Sequence, residues 1–260
     1  MNLISTLISS SRLQIRHSMA RPMFKFILFV APVFYSIITY TLFFHSSMTN
    51  FAAYAFLGTG LLSLWDSICF SSAGDMERER WMGTLQTTYN TPTDFRMIVA
   101  GKVMGNTLLG VIPFIVSFAV IKAGFQAEVS IVHMIPFCVA FLISIVSFAC
   151  VAYFFAVVFL LSRSAAILMN FLGAPIHILC GLAFPIALLP AWTRPFSYLL
   201  PPTWAAELLR MCIQGITEWK QYYILSGMLV VESFTFIAIS SYLYTVVDRR
   251  IRTDASLMIS

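Results

Sequence analysis

The residues of this sequence that could do chemistry are few, and their placement is unusual. Asp66, His177 and Glu232 each stand inside a long apolar run. In a bilayer a carboxylate near mid-span costs roughly 2.5–3.5 kcal/mol on insertion scales, so such groups face a cavity or a partner. They could line a translocation path, or the two acids could relay protons. The plainer alternative is a hydrogen-bonded contact between helices. The sequence offers no nucleophile beside a base, no His/Glu metal cluster and no supported carboxylate dyad, so neither a catalytic nor a metal site is expected. Cys69, Cys138, Cys150, Cys180 and Cys212 are isolated from one another and read as free, buried thiols.

The second concentration of chemistry is a charged segment over residues 74–102. It holds Asp75, Glu77, Arg78, Glu79, Arg80, Asp94, Arg96 and Lys102 in an otherwise apolar chain. Glu77 and Arg80 are three apart and able to pair on one helix face. Gly83-Thr84 interrupts the run, Thr84 can cap a short helix through Tyr89, and Thr91-Pro92 stops it. A short helix carrying charges together with Trp81, Leu85 and Tyr89 suits docking to another protein; a solvated connector is the alternative. Ala100-Gly101-Lys102-Val103 lacks both the upstream glycine spacing and the hydroxyl of a phosphate-binding loop. Gly101-x-x-x-Gly105 could bring two helices close, though a lone match of this kind is often incidental.

The elements that position these groups follow from composition. The chain has 260 residues, 59% hydrophobic and 10% charged, with a mean hydropathy of +0.86. A soluble domain is about 45–50% apolar and about 25% charged, so an ordinary soluble enzyme is excluded. The net charge of +5 and pI near 9.0 do not point to nucleic acid, because the basic residues flank apolar runs rather than form a stripe. A hydrocarbon core about 30 Å thick takes roughly 20 helical residues. Six windows of that kind are predicted, at 23–44, 51–73, 103–121, 131–161, 165–189 and 222–247. Twelve of the 16 Lys and Arg fall on one side of this arrangement, which makes both termini cytoplasmic. Lys122, Arg194, Arg210 and Lys220 are left outside, beside a belt of Trp192, Trp204, Trp219, Tyr222 and Tyr223. The first apolar run has no cleavage signal and is expected to remain in the mature protein.

Residues 1–22 place Leu3, Ile4, Leu7, Ile8, Ile15 and Met19 at near-helical spacing among polar residues, as a helix lying in the membrane interface requires. Residues 23–260 read as one transmembrane domain. Residues 191–215 are apolar but broken by Pro195, Pro201 and Pro202. They are expected to form two half-helices at the outer face, the second capped by Thr203 with Glu207 near its positive end; a plain surface loop is the alternative.

The motif Glu79-Arg80-x-x-Gly83-Thr84-Leu85-Gln86, with Pro92 six residues on, resembles the loop after the second span in type-2 ATP-binding-cassette exporter permeases. The run Gly181-x-x-x-Pro185-x-x-x-x-Pro190, then Leu200-Pro201-Pro202-Thr203-Trp204 and Glu207-x-x-Arg210, extends the resemblance over nearly the whole chain. Gln86 stands where the family often has Glu, which removes one ion pair. The resemblance implies an all-α polytopic membrane protein of six transmembrane helices with an N-terminal interfacial helix. It also implies a coupling helix at about 77–90, which docks on an ATPase subunit through Glu77, Arg78, Glu79, Arg80, Gly83, Thr84, Leu85, Gln86 and Pro92. Pro201, Pro202, Thr203, Glu207 and Arg210 would form an outer gate, and Asp66, His177 and Glu232 a possible path. The implied assembly has two ATPase subunits binding ATP and Mg, with a second copy of the chain or a homologue beside the first, in the cytoplasmic membrane. It would export a drug, antibiotic, peptide or lipid-linked glycan. A proton-coupled secondary transporter or channel using Glu232 and Asp66 is the competing reading.

Overall fold

The computed structural model describes residues 3–44, 51–126, 131–161, 173, 176–182, 186 and 189–254. All regular structure among them is helical. Helix α1 (Leu3–Ala20) is followed by a rod in which α2 (Pro22–Lys25) passes through a π-helical turn, Phe26–Val30, into α3 (Ala31–Phe44). A second rod runs from α4 (Phe51–Trp65) through a π turn, Asp66–Phe70, into α5 (Ser71–Trp81). Then come α6 (Thr84–Tyr89), α7 (Phe95–Ala119) with a third π turn at Val120–Gly124, and α8 (Met134–Leu161). The described chain closes with α9 (Arg194–Ser197), α10 (Pro201–Gln214) and α11 (Trp219–Asp254).

Among the described residues, four helices are long and apolar enough to cross a membrane: Pro22–Thr41, Phe95–Gly124, Met134–Leu160 and Trp219–Val246. Only 22% of the last is buried inside the molecule, and its outer face shows Val231, Phe234 and Tyr242. A soluble protein does not leave a continuous apolar face of this kind in water, whereas a helix in hydrocarbon does so as a rule. The second rod is the reverse case. From Ala55 to Cys69 it is enclosed almost throughout, with Trp65 fully buried and edge-on to Phe148 at 5.3 Å. It is the axis around which α7, α8 and α10 pack. Most of the predicted window at 165–189 lies outside the described residues.

The N-terminal segment is a helix whose most deeply buried positions are polar, with Leu7, Ile15 and Met19 half-buried beside them. Leu3, Ile4, Ile8 and Leu13 are exposed, while Thr6, Ser11, Gln14 and Ser18 are buried against α7. Gly101 and Gly105 make this contact possible. A Cβ at Gly101 would stand 2.6 Å from Ser10 Cβ, and one at Gly105 would stand 2.8 Å from the Ser11 carbonyl oxygen. The small-x-x-x-small spacing thus serves a close helix approach between α1 and α7.

Two local expectations change over residues 191–215. The first expected half-helix shrinks to the four residues of α9, between turns. The second, α10, has 14 residues, or about 21 Å at 1.5 Å per residue, short of a bilayer core of about 30 Å. Its N-cap is Leu200 with proline in the first turn, where the missing N–H is no loss. Thr203 therefore sits inside the helix, and its hydroxyl donates to the Ser197 carbonyl at 2.6 Å rather than capping.

Candidate functional site

The charged segment is built outward from the second rod. Helix α5 stops because Gly83 adopts a left-handed conformation, φ +69°. The Met82 and Gly83 N–H groups close back on the carbonyls of Arg78 (2.9 Å) and Arg80 (3.0 Å). Gly83, not Thr84, thus caps α6, and the Thr84 hydroxyl points back to the Glu79 carbonyl at 3.3 Å. Space around Gly83 is open, with nothing within 4 Å of a built Cβ, so Gly83→Ala meets backbone strain alone. It is expected to cost about 1–2 kcal/mol, read as a lower unfolding temperature of the purified chain.

Three of the residues expected to meet a partner are turned inward. Glu79 pairs with Lys102 of α7, both side chains largely buried. Arg80 donates to the carbonyls of Phe159 (2.9 Å) and Leu160 (2.7 Å), placing its charge on the last carbonyls of α8. Leu85 is 2% exposed and belongs to the main core. Their tertiary partners are 23 to 80 positions away in the chain, beyond what a local charge pattern shows. At the far end of α6 the Tyr89 hydroxyl is bonded to Asp248 of α11, while Arg96 lies over the Tyr244 ring at 4.4 Å. Tyr89→Phe is expected to lower stability by about 1–3 kcal/mol, the worth of a bond to a charged group, measured by thermal unfolding.

Two large apolar side chains face outward. Trp81 is 84% exposed and Met82 62%. Thr84, Thr87 and Pro92 are also exposed, and Glu77, Arg78 and Gln86 are half-buried. The sequence singled out Trp81 but not Met82, which carries no charge or motif of its own.

A buried polar junction stands behind this surface. Asp75, 4% exposed, accepts hydrogen bonds from Arg21 (2.7 Å), the Gln14 amide (2.5 Å) and the Asn106 amide (2.9 Å). Arg78 approaches it at 3.5 Å. One carboxylate on α5 thereby ties α1, the α1–α2 junction and α7 together. Burial pushes the Asp75 carboxyl above its ordinary value, against the pull of Arg21 and Asn106 downward. The sequence placed Asp75 in the charged run but did not show Gln14 or Asn106, whose amides look unremarkable until the helices meet.

The intramembrane groups form two separate contacts. His177 Nε2 lies 2.7 Å from Asp66 Oδ1, at the first residue of the second π turn. Both border a cleft of about 640 Å³ between the two rods. Glu232 on α11 accepts instead from the Trp204 indole N–H at 2.9 Å. The structure thus joins Asp66 to His177 and Glu232 to Trp204. On α10, Arg210 is buried and donates to the carbonyls of Gly181 (2.7 Å) and Leu182 (2.9 Å), pinning that turn to α10. Pro201 and Pro202 are buried in the first turn of α10, and Glu207 is half-buried one turn before Arg210.

The ABC-2 type transporter family profile matches residues 4–213, from α1 to the end of α10. The chain belongs to the ABC-2 type transporter family. It is accordingly a multi-pass membrane permease subunit of an ABC transporter, distinct from the ATP-hydrolysing subunit with which such permeases normally work. No curated protein matches it in sequence. Membership sets aside the proton-coupled reading of Glu232 and Asp66, and the two separate contacts these acids make give that reading no support.

Proposed function

We propose that this chain is the membrane half of an exporter with six spans, both termini and the 74–102 segment being cytoplasmic. Two ATPase subunits, holding ATP and Mg, dock on the outward face of α5 and α6 beneath a permease pair. The pair is two copies of this chain, or one copy and a homologue. The observation that carries the reading is the exposed Trp81-Met82 pair at the tip of a strut. That strut is fastened through Glu79, Arg80 and Leu85 to three other parts of the bundle. A surface mounted so firmly transmits force: closure of the ATPase pair would move α6 as a lever and turn the second rod with it.

Cargo would pass beside Asp66 and His177, with Glu232 further along and α10 acting as the outer gate. A drug, antibiotic, peptide or lipid-linked glycan fits this reading. The experiment is purification of the tagged chain from native membranes and reconstitution in vesicles. An ABC ATPase subunit is expected to co-purify and to hydrolyse ATP while cargo moves; a chain that purifies without one contradicts the proposal. In the same system Glu232→Gln, which keeps the acceptor for Trp204 but removes the charge, is expected to alter transport while the ATPase stays bound.

A further inference from the structure

The cleft between the two rods has a chemistry of its own. Along the first rod Phe24, Ile27, Ala31 and Tyr35 line it at helical spacing, with Arg21 at the end. The stretch from Arg21 to Tyr35 is about 21 Å long at 1.5 Å per residue. Along the second rod Arg78 stands at the same end and Phe70 lies deeper. The two guanidiniums meet at Asp75, while the Asp66 carboxylate, paired with His177, lines the same cleft further along.

The hydrogen bonding of the lining is incomplete. Among the described residues, Arg21 Nε, Ser63 Oγ and Ser71 Oγ are buried without a hydrogen-bond partner, Arg78 Nη1 has only its 3.5 Å ion pair with Asp75, and all four residues line this one cleft. Buried polar groups are ordinarily paired, and each orphan costs about 1–3 kcal/mol. The guanidinium nitrogens are donors, and the two hydroxyls can donate or accept. The deficit at the guanidiniums is an acceptor, and the acceptor that suits a guanidinium pair best is an oxyanion. Beyond them Phe24, Ile27 and Phe70 form an apolar strip beside the Asp66–His177 pair, so the oxyanion belongs on a body with an apolar part.

We propose that this cleft binds an anionic amphiphile, its phosphate or carboxylate at Arg21 and Arg78 and its apolar part along Phe24, Ile27 and Phe70. The inference rests on the permease reading for its role, since it names the class of molecule the path admits. Binding itself is measured without the ATPase subunit, so either reading can fail while the other stands.

The test titrates the purified full-length chain, in a neutral maltoside detergent, with dioctanoyl phosphatidic acid, read by native mass spectrometry. Dioctanoyl glycerol and inorganic phosphate are the controls. The expected result is saturable binding of the phosphatidic acid, with neither control competing at the same concentration. Arg78→Gln should weaken binding about tenfold or more, the loss of a charge-assisted hydrogen bond. Ile27→Trp, which fills the cleft while leaving both guanidiniums, should abolish it; size-exclusion profiles verify that each variant is folded. Equal binding of dioctanoyl glycerol, or undiminished binding by both folded variants, overturns the proposal. A phospholipid that co-purifies from native membranes and is displaced by the probe marks a resident lipid. A chain purified empty that takes up the probe marks a cargo site, and both results support the cleft's chemistry.

Discussion

Replacing Trp81 and Met82 together by alanine is expected to release the ATPase subunit while leaving the permease folded. The two side chains are 84% and 62% exposed in the chain. Their removal takes nothing from its core, and surface changes of this kind stay within about ±0.5 kcal/mol. At an interface the balance reverses, because a buried tryptophan anchor is worth about 2 kcal/mol or more, roughly a thirtyfold loss of affinity. Co-purification of the ATPase and stimulated hydrolysis should fall together, with the unfolding temperature of the permease unchanged. Leu85→Ala is the informative contrast: its side chain is 2% exposed, so it should cost about 2–5 kcal/mol of stability directly. A double variant that keeps its ATPase would remove Trp81 and Met82 from the docking surface.

Asp75→Leu is expected to loosen the helices at the opposite end of the same strut. The substitution leaves the Arg21 guanidinium and the Gln14 and Asn106 amides facing an apolar side chain in a buried site. Breaking such a buried pair from one side costs about 3–5 kcal/mol. Asp75→Asn should be milder, since a neutral amide still offers an oxygen and burial already disfavours the charged form. The sign of the pH effect follows. With a folded value raised above the ordinary 3.8, Asp75's contribution to stability is complete below that value and declines as pH rises through the folded one. Asp75→Asn should flatten that part of the profile. Thermal unfolding of the purified variants across this range decides both points, and an Asp75→Leu chain as stable as the parent would show that the junction holds nothing together.

Which parts of this architecture could be read from the sequence follows from the solvent. Long uncharged windows are forced by the thickness of hydrocarbon, so the helices at Pro22–Thr41, Phe95–Gly124, Met134–Leu160 and Trp219–Val246 were legible. The break at Gly83 and the stop before Pro92 were legible too, because backbone geometry is a local property. Which face of a helix points inward was not. In a bilayer, lipid-facing and packed faces are both apolar, and small or polar residues mark the packed one. Helix α1 shows the consequence. Leu3, Ile4 and Ile8 of its apolar stripe are exposed and Leu7, Ile15 and Met19 only half-buried, while the fully buried positions are Thr6, Ser11, Gln14 and Ser18. The site followed the same rule. Charges at 75–80 suggested an outward surface, but Glu79 and Arg80 found tertiary partners, and the uncharged Met82 was left outside.

The most direct test of the docking account places a photo-crosslinking amino acid at position 81 in the native membrane and, separately, at the buried position 85. Irradiation followed by mass spectrometry should join position 81 to an ABC ATPase subunit and leave position 85 attached only within the permease. Adducts with the ATPase from 85 and none from 81 would contradict the account.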